Sequence, residues 1–404
     1  MKTFSFTAII ILLTLFAVKL SAQTFTNYTT AQGLPSNFVN GIAIDNSNNK
    51  WFATAAGVAK FDDVSWTVYT TANGLIDDFI NCIAVDPTNN IWVGTDVGLS
   101  KFDGSIWTSY TTANGLVNNI ITYINSDKNG TMWFGTNNGL SRLNGTTWTN
   151  FTTANGLPNN LISYIKTDSL NNAWVGTWIG GLAVYDGNSF TVMTNSDSIP
   201  DNNIIAIAID HSYNKWIGTF SGMAKLGVNN AWIHTYRQSE GLYNNYVQDI
   251  AVDSKNNKWV GIYADYLGDG ALTKFDGTSF TSYSTAQGLV SPVVHRVAVD
   301  KQDIVWIATA NGVSKFKDGN AGLNDLSDQV VPAIYPNPAT DKVYFENLPK
   351  SARISISNIQ GQLMIITTAT DVSAQIDISR YSAGSYIVSV QNGTKLYYSK
   401  LMIQ

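Results

Sequence analysis

The chain has 404 residues, of which 44% are hydrophobic, so it is long enough to bury a sizeable core. Only 13% of the residues are charged, the formal net charge is −5, and no basic stripe is present, which argues against a nucleic-acid partner. The single cysteine, Cys82, excludes an intramolecular disulfide. The three histidines, His211, His234 and His295, lack the spacing of metal ligands. The sequence therefore predicts neither a metal nor a cofactor.

The first 22 residues have the pattern of a secretory signal peptide. Lys2 precedes an apolar run from Phe4 to Val18, and Leu20-Ser21-Ala22 is typical of a cleavage site. The run is too short for a comfortable membrane span. We therefore expect cleavage after Ala22 and a mature chain without a transmembrane segment.

A repeat of about forty residues fills most of the chain. Each copy starts with an aromatic residue and later carries an aspartate followed by a tryptophan. The copies start at Phe25, Trp66, Trp107, Trp148, Phe190, Trp232 and Phe280. Their aspartates are Asp45, Asp86, Asp127, Asp168, Asp210, Asp253 and Asp300, and their tryptophans are Trp51, Trp92, Trp133, Trp174, Trp216, Trp259 and Trp306. Four short strand-like runs per copy predict an all-β fold, a seven-bladed β-propeller over residues 23–319.

The two ends of the repeat array complement each other. The seventh copy stops after its third strand, near Gly319, whereas Phe25–Tyr28 matches the last strand of a blade. We predict that this N-terminal strand closes the last blade, because the pairing would remove an exposed edge.

The recurring residues are assigned structural roles. A glycine precedes a leucine in most copies, as in Gly74-Leu75, and is expected to supply a turn with positive φ. The tryptophans are expected to fill the space between blades. The aspartates are interpreted as the start of a polar turn rather than as acids or bases, because seven equivalent copies around a ring cannot all be catalytic.

Copies four to six depart from the consensus in loops that share one face of the propeller. Copy four gains a residue near Trp178, copy five lacks the Gly-Leu turn, and copy six carries an insertion around residues 263–269. Aromatic residues and one aspartate in these loops, together with one histidine on the inner strand of copy seven, define the predicted ligand site. The candidate residues are Trp178, Phe220, Tyr243, Tyr246, Tyr263, Asp265, Tyr266 and His295.

Three further readings of the polar residues remain open. Polar side chains at the start of the inner strands, such as Asn40, Asn81 and Thr122, either face the central channel or hydrogen-bond to the neighbouring blade. Asp265 and Asp269 provide too few oxygen ligands for a calcium site without help, and loop solvation is the simpler account. No nucleophile–base pair is readable, although His295 with Arg296 would suit a lyase or hydrolase.

The sequence changes character after residue 319. Residues 320–333 form a polar linker, and residues 334–404 contain six short strand-like runs, which predict a small immunoglobulin-like antiparallel β-sandwich.

Two resemblances follow from these motifs. The pattern around Gly74-Leu75, Asp86, Trp92–Thr95 and Gly98–Gly104 resembles the two-component regulator propeller repeat, whose members form sensor domains that often read oligosaccharides. No kinase follows here, so the resemblance implies a ligand-binding role and not a signalling role. The segment containing Tyr335-Pro336-Asn337-Pro338 is similar to the C-terminal sorting domain of type IX secretion in Bacteroidetes, which implies export through the outer membrane by that machinery.

Three functions are therefore considered. The first is a secreted or cell-surface propeller that binds a glycan or another extracellular ligand. The second is a surface scaffold or adhesin with a protein partner. The third, a propeller lyase or hydrolase, has the weakest support in the sequence, and we expect a protein that is not an enzyme.

Overall fold

The computed structural model describes residues 24–263, 269–318, 333–348, 351–358, 362–392 and 395–404. The chain divides into two compact units, Met1–Gly319 and Asn320–Gln404. The regular elements within the described residues are β-strands and short 3-10 helices, so the expected all-β class is confirmed. None of the described helices has the length and apolar character needed to span a membrane. The expected signal peptide and nearly all of the expected linker lie outside the described residues.

The described part of the first unit forms seven four-stranded antiparallel sheets. Sheet one consists of β2 (Val39–Ile44), β3 (Lys50–Thr54), β4 (Gly57–Phe61) and β5 (Trp66–Tyr69), and sheet two of β6 (Cys82–Val85), β7 (Ile91–Gly94), β8 (Leu99–Phe102) and β9 (Trp107–Tyr110). Sheet three consists of β10 (Ile121–Ser126), β11 (Met132–Thr136), β12 (Gly139–Asn144) and β13 (Thr147–Phe151), and sheet four of β14 (Ile162–Thr167), β15 (Ala173–Thr177), β16 (Gly181–Tyr185) and β17 (Phe190–Met193). Sheet five consists of β18 (Ile204–Ile209), β19 (Lys215–Thr219), β20 (Gly222–Leu226) and β21 (Trp232–Tyr236), and sheet six of β22 (Val247–Val252), β23 (Lys258–Ile262), β24 (Ala271–Phe275) and β25 (Phe280–Tyr283). Sheet seven consists of β26 (Val294–Val299), β27 (Val305–Thr309), β28 (Gly312–Lys317) and the N-terminal strand β1 (Thr24–Tyr28).

The first strand of each sheet is its inner strand. The inner strands contact one another in chain order, and β26 of sheet seven contacts β2 of sheet one. The second strands are buried along their whole length, as in Lys50–Thr54 and Val305–Thr309. A strand that is buried on both faces requires sheets packed against both of its faces, so the core lies between neighbouring sheets.

A 3-10 turn links the fourth strand of each sheet to the inner strand of the next. These turns are η1 (Thr30–Gln32), η2 (Thr71–Asn73), η3 (Thr112–Asn114), η4 (Thr153–Asn155), η5 (Asn195–Asp197), η6 (Gln238–Glu240) and η7 (Thr285–Gln287). Gly74 ends η2 with φ +107, and its copies end five other turns in the same region, as expected. In copy five Ser198 takes the position with φ 75. The next residue, Leu75 or Ile199 for example, is buried.

The recurring aspartate organises the turn between the first two strands. In sheet two, Asp86 Oδ1 accepts hydrogen bonds from the backbone N–H groups of Thr88 at 3.0 Å and Asn90 at 2.9 Å. Its Oδ2 accepts from Trp92 Nε1 at 3.0 Å. Burial raises the pKa of Asp86, but the hydrogen bonds from Trp92 and Asn90 outweigh it and hold the pKa below its ordinary value. The expected turn-forming role of this aspartate is therefore confirmed.

Sheet three is the exception to this arrangement. Asp127 Oδ1 accepts from the backbone N–H groups of Asn129 and Thr131, both at 2.9 Å. The indole Nε1 of Trp133, however, is buried without a hydrogen-bond partner.

The second unit contains two antiparallel sheets. One has the order β29 (Ala333–Tyr335), β30 (Lys342–Glu346) and β33 (Ala374–Asp377); the other has the order β32 (Leu363–Thr368), β31 (Arg353–Asn358), β34 (Gly384–Asn392) and β35 (Lys395–Ile403). Phe345 of the first sheet and Ile354 and Val388 of the second belong to one buried cluster. Strand β29 is absent from the sequence-based prediction, because three residues are too few to show an alternating pattern.

We predict that Asp86→Asn destabilises the first unit more than Asp127→Asn. The amide of the new asparagine has only one oxygen. If this oxygen accepts from the backbone, the amide NH2 group faces the N–H of Trp92; if it accepts from Trp92, the bonds to the backbone are lost. We therefore expect a loss of about 1–3 kcal/mol in the free energy of unfolding. In Asp127→Asn the amide nitrogen can occupy the position of Oδ2, which accepts no hydrogen bond from Trp133. Urea unfolding followed by tryptophan fluorescence measures both variants, and equal losses would contradict the assigned role of the Asp–Trp bond.

Candidate functional site

A bulge near the start of the inner strand sets the direction of the polar side chains. The register of the pairing shifts at this point, for example between Ile121 and Tyr123 in β10. In five of the seven sheets the polar side chain at this position turns sideways and bonds to a carbonyl of the next sheet, whereas the equivalent residues of sheets five and six, Ile205 and Gln248, make no such bond. These bonds join Asn40 Nδ2 to Ile80 O (2.9 Å), Asn81 Nδ2 to Ile121 O (3.1 Å), Thr122 Oγ1 to Ile162 O (2.6 Å), Ser163 Oγ to Ile204 O, and His295 Nδ1 to Val39 O (2.9 Å). Both readings of these polar residues are therefore observed: Asn81, Thr122, Ser163 and His295 bond to the next sheet and also line a cavity between the inner strands, and Gln248 lines that cavity without such a bond.

The hydrogen bond to Val39 also defines the tautomer of the His295 ring. A carbonyl oxygen can only accept, so Nδ1 of the neutral ring carries the proton. Burial lowers the pKa of His295, and the nearby charge of Arg296 lowers it further, against the opposing effect of the hydrogen bond to Val39. The ring is therefore neutral at neutral pH, and its Nε2 is an acceptor.

The residue after the bulge points into a space enclosed by the inner strands. The seven positions are occupied by Gly41, Cys82, Tyr123, Tyr164, Ala206, Asp249 and Arg296. Two cavities lie along this axis. The upper chamber has a volume of about 510 Å³ and the lower chamber about 370 Å³, and Arg296 lines both.

An aromatic arc runs along one side of the upper chamber. Its ring centroids follow one another at 5.4 Å from Trp178 to Phe220, 4.4 Å from Phe220 to Tyr246, 5.0 Å from Tyr246 to Tyr263 and 6.4 Å from Tyr263 to His295. Phe38 ends the arc, 4.9 Å from His295. The six rings come from sheets four, five, six, seven and one and from the loops that enter these sheets. They form an almost continuous apolar wall.

Polar groups line other parts of the upper chamber. Asp96 accepts a hydrogen bond from Asn81 Nδ2 at 2.8 Å. The side-chain amides of Asn137 and Gln248 line the same chamber and have no hydrogen-bond partner within the described residues. An apolar wall beside a few unpaired polar groups is the usual composition of a small-molecule site.

The structure brings together most, but not all, of the residues that the sequence singles out. Trp178, Tyr246, Tyr263 and His295 line the upper chamber, and Phe220 packs between two of these rings. Tyr243 does not join them: its side chain packs against the core between sheets. Asp265 and Tyr266 lie outside the described residues.

Several residues in the chamber or beside it are missing from the sequence-based prediction. Phe38 occupies a repeat position held elsewhere by Phe79, Ile120 and Leu161, so it looks like part of the consensus. Asp96 and Asn137 follow the second strands of regular blades. The missed signal is exposure, because Phe38, Phe79 and Leu161 are large apolar residues that stay about 40% exposed.

A cluster of four polar residues separates the two chambers. The Arg296 guanidinium carbon lies 5.3 Å from the ring centroid of Tyr123 and 5.7 Å from that of Tyr164. Tyr164 donates a hydrogen bond to Asp249 Oδ1, and the N–H of Val297 donates to Asp249 Oδ2, both at 2.8 Å. We call Tyr123, Tyr164, Asp249 and Arg296 the floor cluster.

The floor cluster holds fixed charges. Burial raises the pKa of both tyrosines, and the negative charge of Asp249 raises it further, so they remain protonated. Burial alone would lower the pKa of Arg296, but Asp249 outweighs it, and the guanidinium stays charged. Burial raises the pKa of the nearby Cys82 thiol to about 12, so this cysteine is not a nucleophile.

No acid–base machinery assembles within the described residues. Arg296 Nη1 donates to the backbone carbonyl of His295 at 2.9 Å and not to its ring. No described carboxylate hydrogen-bonds to that ring. The described residues also contain no group of three or more His, Cys, Asp or Glu side chains that could hold a metal ion. The geometry suits binding by ring contacts and amide hydrogen bonds.

Comparisons with known proteins identify two parts of the chain. Residues 74–97 and 115–138 match the two component regulator propeller family, and residues 333–404 match the secretion system C-terminal sorting domain. No curated protein matches the chain at a significant level.

Solved structures share the fold at low sequence identity. The extracellular domain of a protein described as a hybrid two component system from B. thetaiotaomicron has 17% identity and a TM-score of 0.65, over 94% of this chain and 57% of that one. PorZ, an essential surface component of the type-IX secretion system of Porphyromonas gingivalis, has 19% identity and a TM-score of 0.59, over 91% of this chain and 60% of PorZ. Streptogramin B lyase has 13% identity and a TM-score of 0.59, over 73% and 97% of the two chains.

These likenesses show a β-propeller fold and nothing about activity. The chain also spans less than two thirds of the length of the first two structures. The sorting domain indicates export to the cell surface or beyond and contact with the secretion machinery. The chain therefore carries two-component regulator propeller repeats and ends in a secretion system C-terminal sorting domain.

Proposed function

We propose that this protein is a surface propeller, exported by type IX secretion, that binds an extracellular glycan in the upper chamber. The observation that carries the proposal is the aromatic arc beside the unpaired amides of Asn137 and Gln248. Aromatic rings offer flat apolar faces to the C–H groups of a sugar, and amides suit its hydroxyl groups. The proposal includes removal of residues 1–22, a linker over 320–333 and a sandwich-like sorting domain over 334–404.

The setting of the site supports an extracellular ligand. Two structures with the same fold are described as the extracellular domain of a hybrid two component system and as a bacterial surface component. The upper chamber opens on the face where copies four to six depart from their own consensus. A repeat protein places its variable residues where recognition occurs, because the regular positions are needed for packing.

A surface protein partner is the second candidate. Phe38, Phe79, Ile120 and Leu161 form a band of exposed apolar side chains at equivalent positions of sheets one to four. Exposed apolar patches of this kind mark protein interaction sites. A lyase or hydrolase has less support, because the ring of His295 is held by a backbone carbonyl and has no described acid or base beside it.

We predict that Trp178→Ala and Tyr246→Ala each weaken glycan binding by about tenfold, since the loss of one stacked ring costs on the order of 1 kcal/mol. A glycan array followed by calorimetry with the best polysaccharide measures this effect. Trp232→Ala is the matched control, because Trp232 is about as exposed as Trp178 but lies on the outer strand of sheet five. If both variants bind like the unmodified chain, the site is wrong. If no glycan binds and a stoichiometric protein is captured from the cell surface, the second candidate replaces the first.

We also infer that the seven sheets form a closed seven-bladed ring that supports this chamber. Three contacts support closure between the last sheet and the first part of the chain. Strand β1 pairs with β28 from Thr24↔Lys317 to Tyr28↔Val313, β26 contacts β2, and His295 hydrogen-bonds to the carbonyl of Val39. The ring of Phe25 also lies 4.6 Å from that of Phe316.

If the ring is closed in this way, Phe25→Asp destabilises the first unit and Thr26→Asp does not. The aspartate would place a charge beside Phe316, whereas position 26 is exposed. We expect a loss of about 2–3 kcal/mol for Phe25→Asp, which lowers the melting temperature by roughly 3–5 °C in a unit of this size. Thermal unfolding followed by circular dichroism compares the two variants. An unchanged melting temperature in both would show that the N-terminal strand does not secure the ring.

A further inference from the structure

The lower chamber contains more positive than negative charge. Its wall comes from all seven inner strands and carries Lys166, Arg296 and Asp249, together with His211 from the loop that follows β18. The carboxylate of Asp249 is already satisfied, because Tyr164 and the N–H of Val297 each donate to one of its oxygens at 2.8 Å. The ring of His211 is held by the carbonyl of Asp253 at 3.0 Å.

Neither cation forms an ion pair with a described carboxylate. Within the described residues, the Lys166 ammonium makes no hydrogen bond and no ion pair, and burial lowers its pKa although Asp249 opposes this effect. Arg296 donates one described hydrogen bond, to the carbonyl of His295, and forms no ion pair within 4 Å. Most of the N–H donors of both groups therefore remain available to a ligand in the chamber.

The two cations line the same chamber from opposite sheets. The Arg296 guanidinium crosses the axis from sheet seven and lies over Tyr164 of sheet four. Lys166 follows Tyr164 by two residues, on the same side of β14 and about 7 Å further along the axis. Both side chains therefore line the lower chamber, Arg296 at the level of Tyr164 and Lys166 further along the same strand.

We propose that the lower chamber binds a small organic monocarboxylate, with its carboxylate between Arg296 and Lys166. A guanidinium presents paired N–H groups that match the two oxygens of a carboxylate, and the ammonium supplies a further donor. Ile42, Ile83 and Ala208 give the carbon skeleton an apolar wall, and a volume of about 370 Å³ accommodates several carbon atoms.

The charge balance favours a monocarboxylate over phosphate. Two cations and one carboxylate leave a single positive charge, which one carboxylate neutralises. A phosphate dianion would leave an excess negative charge in a buried space close to Asp249, at a substantial cost in free energy. The floor cluster separates this site from the upper chamber, so the inference does not depend on the proposed glycan.

Calorimetric titration of the full chain with small carboxylates tests the proposal. The probes are acetate, lactate, gluconate and glucuronate, with glucose as the neutral counterpart and inorganic phosphate as the alternative anion. We expect one or more carboxylates to bind with a stoichiometry of one, no binding of glucose at this site, and weaker binding of phosphate. The absence of saturable binding by all four carboxylates, or tighter binding of phosphate, would overturn the proposal.

Matched lysine variants locate the site. Lys166→Met is expected to weaken carboxylate binding by about tenfold or more, because it removes one of two buried charged donors. Lys128→Met is the control, since Lys128 is exposed and bonds to the carbonyl of Ser169 outside the chamber.

Arg296→Lys keeps the charge but loses the paired donors and is expected to weaken binding in a chain that still folds. Trp178→Ala, which alters only the upper chamber, should leave carboxylate binding unchanged. Carboxylate affinity that is unchanged in Lys166→Met and Arg296→Lys would refute the assignment.

Discussion

The structure of the first unit depends on a buried tryptophan that links each sheet to the next. The distances between ring centroids show these contacts. They are 6.1 Å from Trp51 of sheet one to Phe102 of sheet two, 5.7 Å from Trp216 of sheet five to Phe275 of sheet six, and 6.2 Å from Trp306 of sheet seven to Phe61 of sheet one. The aspartate six residues earlier holds most of these indoles through Nε1, as at Asp253 and Asp300. The other oxygen of the same carboxylate accepts from backbone N–H groups of the turn between the first two strands, so one carboxylate fixes both a local turn and a contact between sheets.

This repeated link explains why so much of the fold can be predicted from the sequence. The period, the four strands per copy and the positive-φ glycines follow from residues that must recur because the same packing problem recurs. Copy five shows that the requirement is physical, since Ser198 adopts the left-handed conformation when no glycine is present. Strand bounds are less predictable: β29 has only three residues, and its pairing with β30 is a tertiary contact.

The candidate site is less predictable, because residue type does not give side-chain direction. Tyr243 and Tyr246 are three residues apart in one loop, yet the first packs into the core and the second lines the chamber. The polar residues of the inner strands show the same limit, since a bulge turns Asn40 and Thr122 toward the neighbouring sheet. The floor cluster, of which only Arg296 is singled out in the sequence, could not be predicted as a group for another reason. Tyr123, Tyr164, Asp249 and Arg296 stand at one repeat position, and chemistry that varies from copy to copy at a fixed position has no local motif.

Two adjacent positions of the inner strands combine stability and recognition. The residue at the bulge bonds to the next sheet in five of the seven sheets, and several of these residues also line the upper chamber, while the following residue faces the axis. Small residues at Gly41 and Ala206 leave open space, while Arg296 extends across it onto the two tyrosines. The axis is therefore divided into two chambers with different chemistry: aromatic rings and amides above, and a net positive charge below. Arg296 is the one described residue that lines both chambers, so a single side chain contributes to the wall of each.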